Sequence, residues 1–195
     1  MKNLLFTFAF SLLFSSSIFS QKPIPPLNYE PSALHPFGLP NPDAPKEIID
    51  YAPMIGICDC KNLSRNPDGT WKDSLDMIWK FKYIMNGTAV QDELWKENDL
   101  YAGSIRQFQK DSAEWIVSYF SYPAVPYTPG IWHGKKMDDK IVLSKPQKAP
   151  NGMEGSSILT FYDWDEEGFK WKGEWMKEDK QFNHVFRMIE CKKRK

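Results

Sequence analysis

The chain has 195 residues, with 25 Lys and Arg against 25 Asp and Glu, and 42% of it is hydrophobic. A formally neutral chain has no electrostatic pull toward nucleic acid or an anionic membrane, so no nucleic-acid partner is expected. The length suits one domain with a real core.

The first segment reads as a leader. Met1–Ser20 carries Lys2, then an apolar run over Leu4–Phe14, then small residues. That is the order of a secretory signal peptide, and the run is short for a membrane-spanning helix. Cleavage before Gln21 leaves 24 basic residues against 25 acidic ones. The expectation is a secreted or periplasmic protein with no integral membrane segment after signal removal. Such compartments permit disulfides. Cys58, Cys60 and Cys191 are the three cysteines, enough for one bridge and one leftover thiol. Cys58-Asp59-Cys60 lacks a second pair of ligands at metal spacing, so no metal site is expected.

Residues 21–50 form a Pro-rich arm. Eight of the 15 prolines lie between Gln21 and Pro45, which prevents a regular backbone ladder. Composition favours an extended spacer, with Leu34, Phe37 and Leu39 as its docking candidates. Pro45–Asp50 fits a single helical turn, with Pro45 in a first-turn position.

Residues 51–195 read as one all-β domain. Short apolar or alternating runs are broken by turn signals every 8–12 residues, the spacing of a barrel or sandwich. The predicted strands are Met54–Asn62, Met77–Met85, Thr88–Lys96, Tyr101–Gln109, Glu114–Ser121, Ile131–Lys136, Ile141–Ser144, Ser157–Tyr162, Phe169–Met176 and Phe182–Cys191. Asn86-Gly87 is a preferred two-residue hairpin turn. It sets Tyr83 opposite Val90, Phe81 opposite Asp92 and Trp79 opposite Leu94. The other face then pairs Lys80 with Glu93, as a solvent face should. Met77, Trp79, Phe81, Tyr83 and Met85 become an inward stripe, and Asp92 is left among aromatics. A buried carboxylate there needs a partner. Arg106 is the candidate if its face, shared with Phe108, also points inward. Phe169, Trp171, Gly173 and Trp175 share a face in a later strand.

These residues resemble a known group. The run Trp79–Asp92 is similar to the aromatic-alternating hairpin of bacterial secreted lipocalin-like proteins of unknown function. So are Gly56, Asp68-Gly69-Thr70-Trp71, Gly103-Ser104-Ile105-Arg106 and the Phe169–Trp171 strand. The likeness runs from about Asp50 to the C-terminus. It implies an antiparallel up-and-down calycin-type barrel of 8–10 strands, and no established reaction. The chain departs from the calycin pattern at Gly56-Ile57-Cys58, where a Trp usually closes one barrel end. In a closed barrel the last strand pairs with the first, which brings Cys191 toward that start. Cys58–Cys191 is the expected bridge, ahead of Cys60–Cys191.

The expected function is non-catalytic binding of a small apolar or amphipathic ligand in the barrel lumen. Trp79, Phe81, Tyr83 and Trp171 would stack on it, with Asp92 and Arg106 as polar anchors or as a structural pair. Entry is expected past the Pro123–Pro129 and Gly134–Asp139 loops. The alternatives are a barrel enzyme of unknown reaction and a structural or partner-binding domain. No catalytic residues are assigned, because Gly-x-Ser-x-Gly, His-Glu-x-x-His and phosphate-loop motifs are missing. No cofactor is expected. Haem is a minor option: His184 in the last strand is similar in placement to the ligand of nitrobindin-like barrels. Their Gly-x-Trp-x-Gly start is not present.

Overall fold

The computed structural model describes residues 25–97, 99–122 and 130–195. The Met1–Ser20 segment expected to be a leader and the Pro123–Pro129 stretch expected at the entry lie outside the described residues. Ten strands follow in the expected order. They are β1 (Gly56–Ser64), β2 (Leu75–Ile84), β3 (Ala89–Lys96), β4 (Asp99–Gln109) and β5 (Glu114–Ser121). β6 (Gly130–Met137), β7 (Lys140–Pro146), β8 (Gly155–Tyr162), β9 (Gly168–Lys177) and β10 (Asn183–Lys193) complete the sheet. Each strand pairs antiparallel with the next, and β10 returns to pair with β1. The result is a closed up-and-down barrel without a free sheet edge. Among the described residues no helix is long and apolar enough to cross a membrane.

The hairpin register follows the sequence pattern. Tyr83 faces Val90, Phe81 faces Asp92, Lys80 faces Glu93 and Trp79 faces Leu94. Met77, Trp79, Phe81 and Tyr83 point inward and are buried. Met85 does not join them: it has φ 54° and is 52% exposed. The turn has already begun there, and the left-handed backbone swings its side chain away from the lumen. In β9, Phe169, Trp171, Gly173 and Trp175 are buried as expected.

The arm is not a free spacer over its described part. Residues 25–45 fold against the β2–β3 turn. Asn86 is gripped from both sides: its amide donates to the Glu30 carboxylate, and its side chain accepts from the Tyr29 amide. Tyr83 N–H donates to Phe37 O at 2.8 Å, and Asn41 N–H donates to Gly87 O at 3.0 Å. Gly87 is required twice over. Its φ is +75°, and a Cβ there would meet Leu39 O at 2.3 Å. Leu34 stays 81% exposed, so backbone groups rather than that apolar side chain hold the arm.

The single turn expected near Pro45 is a nine-residue 3-10 helix, Lys46–Met54. Its buried residues are Ile48, Tyr51 and Met54, spaced by three. That is the repeat of a 3-10 helix, so all three fall on one face. Tyr51 and Met54 are fully buried in the barrel end where β1 begins. They supply the bulk that the missing Trp near Cys58 leaves out.

The expected Cys58–Cys191 bridge is corrected by the register. Cys191 lies directly opposite Cys60, and these two are joined, with a Cα–Cα distance of 4.1 Å. Cys58 stands two positions further on, opposite Lys193, and remains a free buried thiol. A bridge needs Cβ atoms that face each other at short range, which only the opposed pair provides. Burial pushes the Cys58 thiol up to about 11, so it is a poor nucleophile.

Non-reducing peptide mapping should recover a Cys60–Cys191 cross-link, with Cys58 alkylated only after unfolding; a Cys58-containing cross-link would overturn the assignment. Because the bridge joins residues 131 apart, Cys60→Ala/Cys191→Ala should lose about 2–4 kcal/mol in denaturant melts. Gly87→Ala should undock the arm, at a cost of about 1 kcal/mol or more. Faster hydrogen exchange at the Tyr83 and Leu39 amides is the readout.

Candidate functional site

The lumen has two unlike halves, separated by a buried carboxylate. Asp92 sits on β3 at an inward position and is 4% exposed. Its Oδ2 accepts from Trp79 Nε1 at 2.7 Å. Its Oδ1 accepts from Ser104 Oγ and from Arg106 Nη1, both short contacts. Register explains the meeting: Phe81, Asp92, Ser104 and Tyr119 are direct neighbours across β2 to β5. Burial opposes the charge on Arg106, but the adjacent Asp92 carboxylate and Tyr51 hydroxyl together outweigh it and hold the guanidinium above its ordinary range.

Toward the helix the lumen is packed. The Arg106 guanidinium lies over the rings of Tyr51, Phe81 and Phe161, at 5.1, 5.1 and 5.6 Å from their centroids. Each is a favourable cation–π geometry. Tyr51 meets Trp115 edge-on at 4.9 Å, and Phe81 meets Phe169 edge-on at 5.8 Å. Burial lifts the Tyr51 hydroxyl to about 12, so it stays protonated.

Away from the helix the lumen is open. A cavity of about 290 Å³ lies there. Trp79, Asp92 and Trp171 form its floor, and Leu94, Ala102, Leu159 and Ile189 line its wall. Toward its rim stand Tyr119, Trp132, Lys145 and Arg187. Trp132 meets Tyr119 edge-on at 5.9 Å, and Lys145 Nζ lies 4.2 Å from the Trp132 ring centroid. Burial pulls the Arg187 guanidinium below the ordinary arginine range. A larger depression of about 880 Å³ lies outside the barrel, over β1 and β2. Its Lys61 pairs with Asp76 and its Arg194 with Asp59. Exposed ion pairs of this kind describe a solvated face, whereas the lumen offers enclosure and aromatic walls.

The six residues expected to touch a ligand divide three and three. Trp79, Asp92 and Trp171 line the cavity. Phe81, Tyr83 and Arg106 do not, because successive inward positions along β2, and from Ser104 to Arg106 along β4, step into the packed half. Asp92 also differs from a free anchor, since both of its oxygens are already occupied by protein donors. The Gly134–Asp139 segment expected at the entry forms the β6–β7 turn, which lies at the helix-plugged end. None of His35, His133 and His184 lines the cavity. His133 points outward and pairs with Glu114 at 3.7 Å, and His184 lies opposite Trp175 in β10. The haem option therefore has no histidine ligand in this cavity.

The sequence reading missed Arg187 and Phe186 for a local reason. Strict alternation puts them on opposite faces of β10. Arg187 faces inward in step with Ile189 and Cys191, and a bulge between Val185 and Arg187 brings Phe186 to the cavity as well. Gly173 makes room: a Cβ there would meet the Phe186 ring at 2.6 Å and the Trp171 ring at 2.9 Å.

Asp92→Asn should cost about 3–5 kcal/mol in urea melts, because it strands a buried guanidinium. Replacing both partners, as Asp92→Leu/Arg106→Met, should cost much less than the two single changes added together; strict additivity would show that the pair is not coupled.

No family model matches the chain, and no curated protein matches it. Among solved structures, the crystal structure of Rv2717c from M. tuberculosis is similar to it at 11% identity and a TM-score of 0.49. The match covers 78% of this chain and 100% of that one. At this identity and score nothing about function carries over.

Proposed function

We propose that the protein is a secreted or periplasmic, lipocalin-like binding protein that holds one small apolar or amphipathic molecule in its lumen. The cavity between the Trp79–Trp171 floor and the rim supports this reading most strongly. Its volume of about 290 Å³ falls at the small end of ligand pockets, and its lining has the usual mix of aromatic walls and few polar groups. A lumen meant only as core would be filled at crystal-like density, as the helix half is. Binding is favoured over catalysis by the state of Asp92. Among the described residues it is the one carboxylate lining the cavity, and its hydrogen bonds tie it to Trp79, Ser104 and Arg106, so it is not a free base for proton transfer. The Cys60–Cys191 disulfide suits an oxidising compartment, as does reading Met1–Ser20 as a leader.

A neutral apolar dye such as N-phenyl-1-naphthylamine should bind with one site per chain and quench tryptophan emission. Ala102→Leu adds bulk to the cavity wall. It should weaken dye binding by roughly tenfold or more, while the melting temperature holds or rises. A dye that fails to bind, or that binds the filled variant equally well, would sink the lumen as the site.

A further inference from the structure

The charges of the lumen do not cancel. Asp92, Arg106 and Glu174 are the buried charged residues, and each has an ion partner: Asp92 and Arg106 hold each other, and Glu174 takes Lys172 at 2.8 Å. Arg187 is different. Its Nε donates to the Asn62 side-chain oxygen and its Nη2 faces Met77 Sδ at 3.6 Å, both neutral groups. No carboxylate lies within ion-pair distance of it among the described residues. None is supplied from outside them, because residues 1–24, 98 and 123–129 contain no Asp or Glu. Lys145 shares the same cavity and also has no carboxylate partner among the described residues; its Nζ lies over the Trp132 ring. The Trp132 Nε1 donor is buried and makes no hydrogen bond. Two cations and an idle N–H therefore line a cavity whose one carboxylate, Asp92, is already neutralised by Arg106.

A partly buried guanidinium with only neutral neighbours bears a desolvation cost, and an oxyanion is the group that relieves it. We propose that the ligand is an anionic amphiphile. Its compact oxyanion headgroup, a carboxylate or a phosphate ester, is bound by Arg187 and Lys145, and its short apolar body rests on Trp79 and Trp171. Arg187 stands nearer the open end than Ile189 on the same strand, so the headgroup faces the mouth and the apolar body points inward. The proposal rests on the lumen being a binding site and adds the charge and polarity of what it takes.

The test is isothermal titration of the full mature protein with decanoate, decyl phosphate, decanol and acetate at neutral pH. Decanoate or decyl phosphate should bind at least tenfold tighter than decanol, and the tighter of the two identifies the headgroup. Arg187→Gln and Lys145→Gln should each shrink that preference, with Arg187→Lys restoring part of it. Equal binding of decanol and both anions overturns the headgroup assignment and leaves the lumen a neutral apolar site. Acetate binding as tightly as decanoate overturns the amphiphile. Failure of every titrant and of the neutral dye removes the binding reading itself. If Arg187→Gln does not fold, the wild-type preference and the rim variant Lys145→Gln still decide.

Discussion

The Asp92 carboxylate organises the interior of this barrel. A charge on an inward strand position is expensive to bury, and three donors make it tolerable: the Trp79 indole, the Ser104 hydroxyl and the Arg106 guanidinium. The net contribution of such a pair to stability is small, but its geometric effect is large. Trp79 is held by its N–H and becomes a fixed floor. Arg106 is drawn to the far side, where three aromatic rings receive its other face. The lumen is thereby divided at one level into a packed half and an open half.

Closure at the packed end comes from outside the sheet. The segment before β1 folds as a 3-10 helix whose period of three aims Ile48, Tyr51 and Met54 at the barrel. The turns at this end are short, and the arm clasps one of them through Asn86. The longest connections among the described residues, residues 65–74 and 147–154, lie at the opposite end, which is also where the cavity lies. Rigid strands with longer loops at one end are a common way to carry a site. The Cys60–Cys191 bridge ties the first and last strands together, so the closing seam of the barrel is covalent as well as hydrogen-bonded.

The two arginines of the lumen show how similar residues diverge by context. Arg106 faces a carboxylate across the β3–β4 pair and belongs to the core. Arg187 faces the lumen in step with Ile189 on β10, meets an amide oxygen and a thioether, and keeps its charge unmatched. Arg106 is satisfied from within the fold, whereas the charge of Arg187 is the one the proposed anionic ligand would match.

Local chemistry in the sequence was enough for the strands, because a period of two and turn residues such as Asn86-Gly87 act over a few positions. It was also enough for the inward stripe of β2 and for Asp92 among the aromatics, since register propagates from a defined turn; Arg106 was legible only as a candidate partner, because the face of β4 is set by the β3–β4 register. Three features were decided only by the tertiary structure. Cys60, not Cys58, meets Cys191, because bridge choice depends on the β1–β10 register between segments far apart in the chain. Phe186 joins Arg187 at the lumen because a bulge shifts the alternation, and nothing adjacent to it in sequence marks that shift. Which half of the lumen stays open depends on where Tyr51 and Met54 dock, a long-range packing outcome. That outcome separates Trp79 and Trp171, which face space, from Phe81 and Tyr83, which the same alternating pattern makes indistinguishable from them.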